Sequence, residues 1–194
     1  MGVEDSLLIH AAMQLPQRPG VFMLDTGRLH DETLAMVDTV QQRYGITVQV
    51  MHPDPAAVQG YIDQHGLNAF FESVALRKQC CDIRKVEPLR RALAGHSAWI
   101  TGQRREQSPS RAELPEAQWD SAFGLQKYNP LASWHTDEVW AVVRALDIPY
   151  NPLHDRGYAS IGCECCTRAI RPGEDLRAGR WWWEKQSNLE CGLH

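Results

Sequence analysis

Five of the six cysteines in this 194-residue chain fall in two tight groups: Cys80 and Cys81 in "KQCCDIRKVEPLRR", and Cys163, Cys165 and Cys166 in "IGCECCTRAI". The sixth, Cys191, stands in "SNLECGLH", three residues from the end. Thiolates from two separated segments can ligate a tetrahedral zinc or an iron–sulfur cluster. Adjacent cysteines suit a cubane better, because each neighbour reaches its own iron, whereas zinc favours spaced chelating pairs. Spacing leaves two further readings open: buried apolar cysteines, or pairs that join on oxidation. Cys165, between Cys163 and Cys166, reads as a bystander. A thiol beside a chain end is badly placed for a core and well placed to travel.

Cations accompany the thiols. Arg84 and Lys85 are expected to open a helix running to Ala94, with Lys85 one turn after Cys81 and able to face both a cluster and a bound anion; the plainer reading is a solvated helical face. In "DLRAGRWWWE", Arg177 and Arg180 have an i, i+3 spacing that can present two guanidinium groups to one phosphate, and the three tryptophans either stack on a base or pack. Arg104, Arg105 and Arg111 belong to a long Ser/Pro-containing loop over residues 103–115. A net charge of −4 and a pI near 6.0 exclude the broad basic field of a nucleic-acid polymer binder, so the local arginines point to a small anionic ligand. The histidines form no H-E-x-x-H pattern, and the chain has no G-x-S-x-G elbow and no complete Walker loop.

Alternating elements must position these groups. "GVFMLDTG" predicts a buried strand from Val21 to Leu24 followed by a loop. "HDETLAMVDTVQQRYG" predicts a helix with an acidic first turn, apolar Leu34, Val37, Val40 and Tyr44, and Gly45 as its stop. "ITVQVMHPD" repeats the strand, "PAAVQGYIDQHG" the helix, and "SAWITG" supplies a third strand. "HTDEVWAVVRALDIP" reads as a helix capped by Thr136, and the pattern turns irregular from Tyr150. This alternation implies an α/β fold, a parallel sheet with helices on both faces, whose ligands bind beyond the carboxyl ends of the strands. "LDTG", "MHPD" and "ITGQRREQSPSR" fall at such ends. No apolar run is long enough for a bilayer, and acidic residues stand where a secretory signal is basic, so a cytoplasmic, reducing setting is expected.

Cys-Cys, Cys-x-x-Cys and the terminal Glu-Cys-Gly-Leu-His, together with "LDTGRLHDET", "WITGQRREQSPSR", "GCECCTR" and "RAGRWWWE", resemble the assimilatory adenosine 5′-phosphosulfate (APS) reductase family along essentially the whole chain. The resemblance implies an adenine nucleotide alpha hydrolase-like fold and reduction of APS to sulfite and AMP, with thioredoxin or glutaredoxin as donor and a cysteine S-sulfonate on Cys191. It implies that Cys80, Cys81, Cys163 and Cys166 bind a [4Fe–4S] cluster, with Lys85 between cluster and substrate. It further implies that Arg104, Arg177 and Arg180 hold the phosphosulfate and that Leu24, Thr26 and Gly27 lie near the nucleotide. It divides the chain into a reductase domain, residues 1–180, and a mobile tail, residues 181–194. Many family members are homo-oligomers, and the cluster cysteines favour APS over phospho-APS. One departure is the family's phosphate loop, which reads like Ser-Phe-Gly-Ala-Glu-Asp after a first strand; here only "GVED" follows Met1. A sheet without that strand is expected to leave backbone groups unpaired. The rival readings are a phospho-APS or dual-substrate reductase, a truncated non-catalytic nucleotide- or metal-binding module, and a zinc-stabilised protein.

Overall fold

The apolar run Val21–Leu24 forms strand β1 and pairs in parallel with β2 (Val48–Met51), Val21 opposite Val48 and Leu24 opposite Met51. The crossover between them is helix α2 (Asp31–Tyr44), with acidic residues at its positive end and Gly45 closing it at φ 63. Its buried stripe is Thr33, Met36 and Val40, packed with Met23 and Val48; Leu34, expected inside, faces out. Asp54 caps α3 (Pro55–His65) by accepting from the Ala56 amide at 2.9 Å. The computed structural model describes residues 1–184; residues 185–194, and with them Cys191, lie outside the described residues.

One long helical rod replaces the helix expected to open at Arg84. It starts at Val74, capped by the Ser73 hydroxyl, and runs through α4 (Val74–Cys81), a π-wound turn at Asp82–Val86, and α5 (Glu87–Leu93). Pro88 accounts for the irregularity. Lacking an N–H and clashing with the carbonyl four residues back, its ring cannot sit in a regular α-turn, and a widened turn relieves the conflict. Arg84 and Lys85 therefore lie within the rod and are buried, not on a solvated face.

Strand β3 (Ala98–Ile100) pairs in parallel with β5 (Leu125–Tyr128), and β4 (Ala117–Asp120) adds an antiparallel edge through a tight turn in which Gly124 has φ 72. The expected α/β fold with parallel strands and helices is thus observed, with two amendments. The hairpin β4–β5 was not foreseen, and among the described residues the strands form two sheets, β1–β2 and β3–β5–β4. Helices join the two sheets. Leu89 and Leu93 of α5 pack against Phe22 and Leu24 on one side and Trp99 and Leu125 on the other. Helix α1 (Val3–Ala12) sends Val3 and Leu7 toward Val139 and Val143 of α6 (Thr136–Ala145), and Ile9 toward Met23.

Between β1 and β3 lies a cavity of about 900 Å³, walled by both strands, by α1 and by α5. Asp25 donates to Met51 and Thr101 donates to Tyr128. Because successive residues of a strand point to opposite sides, the backbone groups of Phe22, Leu24, Ala98 and Ile100 face this cavity.

From Tyr150 onward the chain is irregular, as expected, but it is tied down by bridges between Leu29 and Cys163 and between Thr167 and Arg180. Arg177 and Arg180 share a turn, not a helix, with the Arg180 amide donating to the Arg177 carbonyl at 2.8 Å. Trp181, expected to begin the tail, has no solvent exposure and belongs to the core around the cysteines. His154 is half-buried here, with its Nε2 enclosed. Its Nδ1 is 2.8 Å from the Tyr158 carbonyl, so Nδ1 carries the proton, and its ring meets Trp140 edge-on at 5.3 Å.

Two measurements follow from these placements. Amides of Phe22, Leu24, Ala98 and Ile100 should exchange with solvent deuterium faster than those of Met23, Asp25, Trp99 and Thr101; equal protection would mean that the two sheets pair in solution. Burial lowers the His154 pKa below its ordinary value. The unfolded chain takes up this proton near pH 6.5 and the folded one resists it, so stability is full above that pH and declines as pH falls below it. Melting temperature should therefore drop less steeply on acidification in His154→Asn, whose amide keeps the donor to Tyr158, than in the native chain.

Candidate active site

The loop leaving β1 folds back on itself before it reaches anything else. Asp25 accepts from the Gly27 amide at 2.8 Å, and Gly27 takes φ 68, a left-handed conformation that glycine adopts without a Cβ penalty. This turn buries Thr26, whose carbonyl accepts from Arg84 Nη1 at 2.8 Å and whose hydroxyl lies 3.2 Å from Cys163 Sγ. The Glu164 amide donates to the Arg28 carbonyl at 2.9 Å. Residues 25–29 are in this way laced to the short 3₁₀ turn Glu164–Cys166, which carries the second cysteine group.

Cys80 and Cys81, at the end of α4, then meet Cys163 and Cys166. All four are buried in one core group with Tyr61, Phe70 and Trp181, and none is in a disulfide. Burial raises the Cys80 pKa, although Arg84 hydrogen-bonds its thiol and pulls the other way. The hydrogen bond that its thiol donates to Cys165, with Sγ–Sγ 3.8 Å, and burial push Cys166 well above the usual thiol range. Burial also pushes Tyr61 up to about 12, so its hydroxyl stays neutral and donates to the Leu76 carbonyl. Buried Arg77, Arg84 and Lys85 surround the thiols. Four soft donors ringed by cations fit an anionic group with several ligand-accepting irons. Among the described residues no set of three or more His, Cys, Asp or Glu is placed to hold a metal ion as the side chains stand.

The cavity between the sheets ends at this thiol group. Leu24, Thr26, Lys85, Arg104, Arg177 and Arg180 line it, and Cys163 does too, so Cys163 is shared by the cavity wall and the thiol core. Gly27 is not part of the lining; it faces Arg84. The Arg180 guanidinium stacks 4.8 Å from the Trp181 ring and lies against Gly162, where a Cβ would overlap it. Arg104 is differently occupied. It donates to Glu4 and to Glu106, each at 2.8 Å, and to the Thr136 hydroxyl at 3.1 Å, fastening the first turn of α1 and the start of α6 to the cavity rim. Glu106 also accepts from the Thr136 amide, while His135, not Thr136, is the N-cap of α6.

Two side chains at the site escaped the sequence reading. Gln103 lines the cavity, is only 5% exposed, and has both amide atoms without a partner in the structure. Its position just past β3 was the available signal, since ligands of such folds gather there. Arg84 was read only as a neighbour of Lys85, yet it joins the Thr26 carbonyl to the Cys80 thiol.

A cation-lined cavity at strand ends, sharing one wall with a buried four-thiol group, is the arrangement of an α/β protein suited to a small anionic ligand. The family profile of the phosphoadenosine phosphosulfate reductase domain matches residues 1–169. The adenosine 5′-phosphosulfate reductase of Burkholderia cepacia is 61% identical over 194 residues, covering 100% of this chain and 78% of that protein. The enzyme of the same name from Allochromatium vinosum is 54% identical over 196 residues, covering 100% and 76%. Among solved structures, the phosphoadenylyl-sulfate reductase of Candida auris in its phosphate complex superposes with a TM-score of 0.70 at 26% identity, covering 84% of this chain and 77% of that one. Yeast FAD synthetase in complex with FAD shares the fold, with a TM-score of 0.55 at 16% identity over 87% of this chain and 55% of its own. The chain belongs to the phosphoadenosine phosphosulfate reductase domain family.

Gly162→Ala should push Arg180 aside and weaken binding of AMP or inorganic sulfate by about tenfold, the effect of losing one charge-assisted hydrogen bond, while the chain stays folded. Unchanged affinity by calorimetry would remove Arg180 from the anion site.

Proposed function

We propose that the chain reduces adenosine 5′-phosphosulfate to sulfite and AMP, in assimilatory sulfate reduction, with two electrons from a dithiol protein of the thioredoxin or glutaredoxin type. The observation that carries the reading is the shared wall: Cys163 borders both the thiol core and a cavity lined by Lys85, Arg177 and Arg180. The names of the close relatives agree with it.

In this reading the adenosine end of the substrate lies by Leu24 and Thr26, with Gly27 turning the loop behind them, and the phosphosulfate lies among Lys85, Arg177 and Arg180. Arg104, held by Glu4 and Glu106, shapes the rim and borders the same anion. The Cys191 thiolate attacks sulfur, an S–S bond forms, the S–O bond to phosphate breaks, and AMP leaves with that electron pair. Cations beside the sulfate offset repulsion between two anions and stabilise the leaving phosphate. A thiolate of the donor then attacks the Cys191 sulfur, sulfite departs, and the donor's second thiol resolves the mixed disulfide, returning Cys191 as a thiol. The donor ends oxidised, and the sulfate sulfur has gained two electrons. A reducing cytoplasm keeps Cys191 available for each turn.

Cys80, Cys81, Cys163 and Cys166 would hold a [4Fe–4S] cluster, a choice supported by their burial in one core group and their cationic surroundings. Such a group supplies a fixed charge near the sulfate and ties the two cysteine pairs together. Lys85, which borders the cavity one turn beyond Cys81, then orients the sulfate from the cluster side. A phospho-APS reductase is the second reading, favoured by the likeness to the Candida auris structure.

The direct test is intact and peptide mass after mixing anaerobically purified protein with APS and no thiol donor. A sulfonate adduct on the Cys191 peptide, formed faster from APS than from phospho-APS, is expected; no adduct in iron- and sulfide-replete protein would overturn the reading. Cys191→Ser should abolish sulfite release and leave nucleotide binding and iron intact, whereas Cys163→Ser should lower bound iron and destabilise the fold. Full iron in the latter would remove Cys163 from the ligand set.

A further inference from the structure

Helix α4 carries a buried cation to which the reaction above gives no part. Arg77 precedes Cys81 by four residues, so the two share a helix face. Its side chain has no solvent exposure. The guanidinium grips Glu184 with two bonds, Nε to Oε1 at 2.5 Å and Nη2 to Oε2 at 3.0 Å. It lies 4.3 Å from the centre of the Trp181 ring and also hydrogen-bonds the Cys81 thiol. Trp181 is fixed from the other side, its amide donating to the Cys166 carbonyl at 3.2 Å. Its φ of 43 is a left-handed conformation that a bulky residue holds only when its surroundings impose it. The Glu184 amide closes the turn by donating to the Trp181 carbonyl at 2.8 Å.

Residues 181–184 are therefore attached at two points, to Cys81 through Arg77 and to Cys166 through the backbone. Each point lies on a different cysteine group. A group that ligates Cys80, Cys81, Cys163 and Cys166 fixes the distance between α4 and the 163–166 turn, and with it the span that the two attachments bridge. Cys191 follows Glu184 by seven residues.

We propose that Arg77 is a positioning residue that couples the four-cysteine pocket to the segment leading to Cys191, so that emptying the pocket opens the Arg77–Glu184 clasp and changes the reactivity of Cys191. The inference rests on the reading of the four cysteines as ligands of a resident iron–sulfur group. Ligation and nucleophile presentation are then one equilibrium, and a chain that has lost its metal no longer offers its thiol in the productive place.

The test measures iodoacetamide modification of Cys191 in the full chain by peptide mass, before and after chelation of iron, with iron content and visible absorbance recorded separately. In the native chain, chelation should change the rate by about tenfold, within the range of ordinary coupling energies. In Glu184→Gln, which leaves every cysteine and its neighbours in place, the rate should already match that of the chelated native chain while iron is retained, and chelation should add little. Arg77→Gln should behave alike, and Arg77→Lys, with charge but no fork, should fall between. A merely structural ion pair would lower the melting temperature and leave the ratio of the two rates unchanged. The proposal is overturned if chelation leaves Cys191 reactivity unaltered in the native chain, or if Glu184→Gln with full iron shows the native response. Protein isolated without iron in any preparation sinks the ligand reading and the coupling with it, and the metal analysis distinguishes that result from a failure of the clasp alone.

Discussion

The contact between the β1 loop and Cys163 is the constraint on which the rest depends. Thr26 is buried with a polar side chain and a polar backbone, and burial of either without a partner costs about 1–3 kcal/mol. The structure meets both needs across the site: the hydroxyl faces Cys163 and the carbonyl accepts from Arg84. Strand end, π-wound turn and cysteine turn thus converge on one residue. Displacing Thr26 would free Arg84 from the loop and Cys163 from the cavity wall, and the thiol core and the anion cavity would lose their common boundary.

Charge is the second half of the same constraint. A buried guanidinium is tolerated only when its donors are met, and each buried arginine near the site meets them differently. Arg77 has the Glu184 carboxylate, Arg84 a backbone carbonyl and a thiol, Arg104 two carboxylates. Arg180 is the exception, its guanidinium resting on the face of Trp181 and against Gly162 with Nε lacking a hydrogen-bond partner in the structure. An arginine whose charge rests against a ring keeps its donor edge available to an anion, whereas Arg104 is held by Glu4 and Glu106 before any ligand arrives. The graded engagement of these side chains separates the cations that shape the site from those that bind in it.

Much of this was legible in the sequence, for definable reasons. β1, β2 and β3 are short apolar or β-branched runs next to glycine or proline, and the cysteine groups announce themselves by spacing. The start of the rod at Val74 was missed because the expected helix opens at Arg84 and Lys85, past the Ser73 cap; the π-wound turn there has no composition signature. The β4–β5 hairpin was missed because the buried face of "LQKY" is Leu125 and a charged residue, Lys127, and "AQWD" leaves Trp119 largely exposed. Arg177 and Arg180 have a helical spacing that a turn also provides. Trp181 looked like one of three equivalent tryptophans, yet it alone of the three is fully buried, which only packing around the cysteines decides.

The geometry of the site does not require β1 and β3 to be joined by a ladder. α5 packs its leucines on both sheets at once, and α1 packs on α6 through Val3 and Leu7 and on β1 and α2 through Ile9. The thiol core is closed by contacts among the β1 loop, the rod, the 163–166 turn and residues 177–184, none of which passes through a strand pair. Backbone pairing between sheets would add rigidity along the cavity without moving its cationic end. For that reason the groups that do chemistry are clustered where helices and turns meet, and the open ground between the strands borders the site without setting its shape.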